Sequence, residues 1–240
     1  LTRGVYGLLG RYYFKNNANL WLWALYGNTE PKGWEIFPTT RGTAELGGRM
    51  QVPVPAGELA LSGHRRYADP SQVVPDSLLP GNRIPENRLA IDGKFDLGIG
   101  LWFETTLTAQ ELRYTELKYR QLFNAGADYT FSLGNGLHLS VETLFAGTGR
   151  KVFDAEESVF FGGAALSYPL GLLHQVQAIL FCDFSGKNLY RFVNWSVTLD
   201  NWTFYLMGFW NPEKYQLYQY EGQGGIFSGP GFQLMLVFNH

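Results

Sequence analysis

The sequence predicts an all-β chain: an antiparallel up-and-down transmembrane β-barrel of about 12–14 strands, with residues 1–240 as a single domain. Three observations predict it. Polar and apolar residues alternate with period two along successive stretches. Apart from Arg65 near one strand end, the apolar parity of these stretches carries no charge, so each strand would have one charged face and one apolar, aromatic face. Turn residues interrupt the pattern at short intervals, and the connections are alternately short and long.

Composition narrows the class. Charged residues make up 17% of the 240, below the usual ~25%, while aromatics reach 16% and glycine 29 positions. This excludes disorder and a collagen-like repeat. A net charge of −2 argues against general nucleic-acid binding, which depends on neutralising phosphates. Cys182 is the single cysteine, which excludes an intramolecular disulfide and a cysteine-based metal cluster. Leu1-Thr2-Arg3-Gly4 has neither an initiator methionine nor an apolar leader, the start expected of a processed or partial chain. No stretch reads as a transmembrane helix; Phe160 to Phe181 is broken by Pro169, His174, Gln175 and Gln177, and mean hydropathy is −0.13.

The elements follow in order. Val5–Phe14 and Asn19–Tyr26 flank the turn Lys15-Asn16-Asn17-Ala18. From Arg41 to Val52, Arg41, Thr43, Glu45, Gly47, Arg49 and Gln51 oppose Gly42, Ala44, Leu46, Gly48, Met50 and Val52. After Pro53-Val54-Pro55-Ala56-Gly57, Glu58, Ala60, Ser62, His64 and Arg66 oppose Leu59, Leu61 and Gly63. Arg88, Ala90, Asp92 and Lys94 then oppose Leu89, Ile91, Gly93 and Phe95. Alternating direction requires a turn at Asp96-Leu97-Gly98, giving about 13 strands instead of 12. An even count is usual, so an odd one would imply a missing or unread N-terminal strand. Glu116, Lys118, Arg120, Asn124 and Asp128 oppose Leu117, Tyr119, Phe123, Ala125, Ala127, Tyr129 and Phe131 on one long strand to Leu133. Gly134-Asn135-Gly136 is a hairpin signal before Leu137–Phe145. Ser158–Tyr168, Leu172–Phe184, Leu189–Leu199, Trp202–Trp210 and Gly229–Phe238 complete the series. Longer connections fall at 28–39, 68–86, 146–157 and 211–225, two outer ones at Ala109–Leu112 and Ser185–Asn188 are short, and loop 68–86 is long enough to fold into a barrel mouth.

Strand length suits a membrane. Ten residues at ~3.3 Å, tilted ~40°, rise roughly 25 Å, the height of an outer-membrane apolar band. Tyr12, Tyr13, Phe14, Trp21, Trp23, Tyr129, Phe131, Tyr168, Trp202, Phe209 and Trp210 cluster near strand ends, as at a membrane interface. The alternative is a soluble sandwich or lipocalin-like barrel with its apolar face inward, for which the charge content is thin.

The chain resembles bacterial outer-membrane β-barrels of the porin-like kind. Phe232-Gln233-Leu234-Met235-Leu236-Val237-Phe238 is similar to their terminal strand, although Asn239 and His240 follow the closing aromatic. The resemblance covers the whole chain as a pattern and is specific to the class, not to one family. It implies a Gram-negative outer membrane, contact with lipid and lipopolysaccharide, and no cofactor.

The polar parity supplies the candidate lumen-lining residues Arg41, Glu45, Arg49, Glu58, His64, Arg66, Arg88, Asp92, Lys94, Glu116, Lys118, Arg120 and Asp128. Mixed charges along an interior would line a path for small polar or charged solutes, or would pair across strands and close it. Tyr215, Tyr218 and Tyr220 form a candidate outer-loop interaction patch. The first expectation is therefore a passive porin-like channel, not an enzyme. The second is a non-channel barrel acting as an anchor or interaction partner in an envelope complex.

A third reading is a barrel-embedded lipid hydrolase, since His138-Leu139-Ser140 resembles the His-x-Ser pair of the outer-membrane phospholipase. Val141-Glu142 follow where that motif has Asn-Gly, and parity turns both side chains from lipid. Metal signals are poor. His64, His138, His174 and His240 lack ligand spacing, and Asp154, Glu156 and Glu157 read as a solvated acidic loop. Gly222-Gln223-Gly224-Gly225 lacks the setting of a phosphate cradle, and the sequons at Asn194 and Asn201 lie in or beside strands. Arg65, on the apolar parity near a strand end, could snorkel or meet a lipopolysaccharide phosphate.

Overall fold

The computed structural model describes residues 4–33, 35–71, 83–111, 115–213 and 227–239. Among them it has thirteen strands and no helix. These are β1 (Tyr6–Tyr13), β2 (Asn19–Tyr26), β3 (Ala44–Val54), β4 (Gly57–Ala68), β5 (Ile84–Asp96), β6 (Gly100–Gln110) and β7 (Tyr119–Phe131). The remainder are β8 (Leu137–Gly149), β9 (Glu157–Leu170), β10 (His174–Asp183), β11 (Asn188–Leu199), β12 (Trp202–Trp210) and β13 (Pro230–Phe238). They form one antiparallel up-and-down sheet in chain order.

Connections are shorter at one set of strand ends, with 184–187 at the other set an equally short exception. Short ones lie at 14–18, 55–56, 97–99, 132–136, 171–173 and 200–201, and each contains a residue with positive φ: Asn17, Ala56, Gly98, Gly134 with Gly136, Gly171 and Asp200. Tight hairpins require that conformation, because their twist must match that of the flanking strands. The expected cut after Asp96 is present, with Gly98 at φ 83° and β6 beginning at Gly100. Without it Leu89–Phe103 would have been one strand and every later strand would reverse direction. The opposite strand ends carry 27–43, 69–83, 111–118, 150–156, 184–187 and 211–229.

By its contacts the chain divides into two compact units, Leu1–Asp96 with Trp102–Phe123 and Ala146–Ser158, and Leu97–Leu101 with Asn124–Phe145 and Val159–His240. In the first, Leu20, Met50, Leu61 and Ile91 stand in register across β2 to β5. In the second, Tyr168, Val176, Trp195, Leu206 and Leu234 do the same across β9 to β13. Much of this apolar face is exposed: Leu61, Leu89, Ile91, Trp195, Leu206 and Leu234 all present their side chains outward. A water-soluble sheet would bury such a face against a second layer.

Some boundaries differ from expectation. β3 begins at Ala44, so Arg41 sits in an exposed turn ahead of the ladder. β7 begins at Tyr119, so Glu116 and Lys118 belong to the connection 111–118 and are exposed. Lys118 still accepts from Gln110 N at 2.9 Å through its carbonyl, so the pairing with β6 ends at that residue. Of the aromatics expected near strand ends, Tyr12, Tyr129, Phe131 and Trp202 are exposed and Phe209 is buried. Trp21 and Trp23 lie on the other face. They share register with Arg49 and Gly47 on the polar face, where the Arg11 guanidinium lies 4.3 Å from the Trp21 ring centroid.

Candidate functional site

The polar face of the first unit is built in rows, because period-two strands in fixed register bring the same parity together. Trp23, Gly47, His64 and Arg88 stand opposite one another across β2 to β5. One row on lie Trp21, Arg49, Ser62 and Ala90, then Asn19, Gln51, Ala60 and Asp92. Toward the short-turn end Glu58 faces Lys94 directly, and both are exposed.

Arg49 reaches across β4 to Asp92 on β5, with Nη1 and Nη2 donating to the two carboxylate oxygens at 2.5 and 2.7 Å. Small residues make the crossing possible. Ser62 accepts from Arg49 Nη1 at 3.3 Å, and Ala60 leaves space beside it. A fork-to-fork arginine–carboxylate pair of this kind is directional as well as electrostatic.

A deeper network sits at the loop end. Glu45, Arg66 and Glu86 are 2%, 1% and 0% exposed, so their charges must be met by protein. Arg66 opposes Glu86 in register. Its Nε donates to Glu86 Oε1 at 2.6 Å, and Nη2 donates to Glu86 Oε2 at 3.1 Å and to the Phe37 carbonyl at 3.0 Å. Nη1 reaches Thr39 Oγ1 at 3.2 Å and Glu35 Oε2 at 3.1 Å. Those contacts use every N–H direction of the guanidinium. Glu86 also accepts from Arg88 and from the Gln110 amide, and Arg88 Nη2 bonds Glu35 at 2.8 Å.

Glu35, Phe37 and Thr39 belong to connection 27–43, which the network ties onto the strand ends. Thr40 N donates to Tyr67 O at 2.7 Å and Asp69 N to Pro38 O at 2.8 Å, while Phe37 packs with Ala68 and Ile84. The loop expected to fold inward, 68–86, has its middle outside the described residues, and part of its range belongs to β4 and β5. Among the described residues the docked connection is 27–43.

His64 links the network to the aromatic row. Trp23 Nε1 donates to His64 Nδ1 at 3.1 Å, and His64 Nε2 lies 3.0 Å from Glu45 Oε2. Indole is only a donor, so the ring proton in this arrangement sits on Nε2 and is donated to Glu45. Thr39 Oγ1 donates to the other Glu45 oxygen at 2.6 Å. Gly47 is necessary here because a Cβ would overlap the Trp23 indole.

The remaining expected residues are more scattered. Arg120 is part-buried on β7, and its Nε and Nη1 lack a partner among the described residues. Glu116 pairs with Arg150 at 2.7 Å, outside the strands. Asp128 lies in the second unit beside Gly100, where a Cβ would come within 2.7 Å of its Oδ1. Tyr215, Tyr218 and Tyr220 fall outside the described residues. His138 Nδ1 lies 3.0 Å from Thr130 Oγ1, so a β7 threonine, not Ser140, is its hydrogen-bond partner. No group of three potential metal ligands occurs among the described residues.

The sequence reading missed Glu35, Thr39, Glu86, Gln110 and Trp23. Glu86 was within reach, since it extends the parity of Arg88 by one step. Glu35 and Thr39 carry no periodic signal. No family model, no curated protein and no solved structure matches the chain.

Proposed function

We propose that the chain is an outer-membrane, porin-like channel that lets small polar or charged solutes pass passively along a charged lumen. The observation that carries this reading is the opposition of faces. Arg49, His64, Arg66, Arg88 and Asp92 share one parity of β3 to β5, and the exposed Leu61, Leu89 and Ile91 occupy the other. In lipid every backbone group must be paired within the protein, and a long up-and-down sheet with an apolar outer face meets that need once closed. Alternating short and long connections and the apolar terminal strand β13 agree with this reading.

The alternative is a barrel without a path, acting as an anchor or an interaction partner in an envelope complex. The Arg66–Glu86–Arg88–Glu35 network favours it to the extent that paired side chains and loop 27–43 fill the polar face. Solute flux separates the two. Vesicles carrying the refolded protein should release a small zwitterion or monosaccharide and retain a large dextran. Retention of both by a protein with intact β-structure would leave the anchor reading.

A further inference from the structure

We infer that Arg120 is the binding point for an oxyanion on a small solute, a carboxylate or phosphate group, within the charged network. This rests on the channel reading for its physiological role, but the site can be tested without it. The inference starts from charge pairing. Arg66 and Arg88 share the carboxylates of Glu35 and Glu86, and Glu86 receives bonds from Arg66, Arg88 and Gln110. Glu45 is taken by His64 and Thr39, and Asp92 by Arg49. Glu35 and Glu86, the described carboxylates whose charges reach Arg120, are thus already shared by Arg66 and Arg88.

Arg120 stands on the same polar parity at the start of β7, close enough to Glu86, Arg88, Arg66 and Glu35 to feel their charges. Its Nε and Nη1 are shielded from solvent and bond to nothing among the described residues. A guanidinium cannot shed its charge, so such donors call for an acceptor. The residue as a whole is only part-buried, so other parts of its side chain meet solvent. A carboxylate or phosphate supplies both the missing acceptor and the missing negative charge. Monocations and neutral solutes supply no such charge and should find no site here.

The test uses full-length protein refolded in detergent, titrated calorimetrically with succinate and separately with inorganic phosphate. Binding of either probe that weakens about tenfold or more in Arg120→Gln, and is largely kept in Arg120→Lys, is the expected result. Arg150→Gln, which removes an equal charge from an exposed loop, should bind as the parent does. Succinate alone would identify the source as a carboxylate, phosphate alone as a phosphate. No binding of either, or binding untouched by Arg120→Gln, would overturn the site. If Arg120→Gln does not fold, Arg120→Lys against the Arg150→Gln control still decides, because a site built on this cation must keep anion binding when the charge is kept. Flux assays on the same proteins keep the readings apart: flux without Arg120-dependent binding removes the site alone, and binding without flux removes the channel alone.

Discussion

Trp23 and His64, on strands separated by β3, are joined by a hydrogen bond from the indole Nε1 to the imidazole Nδ1 at 3.1 Å. It crosses Gly47, whose missing side chain is the space the indole occupies. Gly47→Val should therefore push Trp23 out of place. Overpacking of this kind costs ~1–3 kcal/mol. The expected result is lower resistance to urea together with a red-shifted tryptophan emission. Unchanged emission and stability would mean that the indole does not lie over Gly47.

Arg66 and Glu86 should behave as a buried pair. Arg66→Ala leaves the buried Glu86 with only Arg88 and the Gln110 amide and removes one cation from Glu35, and loss of one partner of such a pair costs ~3–5 kcal/mol. Removing both charges in Arg66→Met with Glu86→Leu should cost less than either single alanine substitution. A denaturant-based double-mutant cycle measures the coupling, and additive losses would refute it.

The turn at 55–56 holds Ala56 at φ 61°, a conformation that costs a residue with a Cβ ~1–2 kcal/mol and glycine much less. Ala56→Gly should thus raise the denaturation midpoint. A neutral or negative shift would contradict the turn geometry.

Orientation relative to lipid is tested by neighbours. Leu89 is 50% exposed on the apolar face, and Ala90 faces the polar side in the row of Arg49 and Ser62. An arginine on the lipid face near mid-bilayer costs ~2–4 kcal/mol. Leu89→Arg should impair folding into vesicles, while Ala90→Ser should not. A soluble sheet with an exposed Leu89 would tolerate the first change.

Strand identity was legible where period two is kept, as along β3, β4, β5 and β7, and Asn19–Tyr26 and Trp202–Trp210 coincide with β2 and β12. The turn after Asp96 followed from direction alone, without any strong local signal. Arg41, Glu116 and Lys118 lie just outside the strands that their alternation suggested, because alternation in sequence does not mark where pairing ends. Within the site, register explains the legible part: Glu45, His64, Arg66 and Arg88 come together because parity and pairing are enough to place them. Glu35 and Thr39 were illegible because a loop docks through tertiary hydrogen bonds that leave no spacing in sequence. Trp21 and Trp23 looked interfacial by position, yet their parity, shared with Arg49 and Gly47, already turned them to the polar face.

The measurement that bears most directly on the channel is single-channel conductance in a planar bilayer, for the parent, Arg49→Ala and Asp92→Ala. Arg49 and Asp92 neutralise each other in the parent. Arg49→Ala leaves an unpaired carboxylate and should shift the reversal potential toward cation selectivity. Asp92→Ala leaves an unpaired guanidinium and should shift it toward anions. Steady conductance with these opposite shifts is the predicted result. Absence of conductance from folded protein, or selectivity indifferent to both changes, would contradict a path along this face.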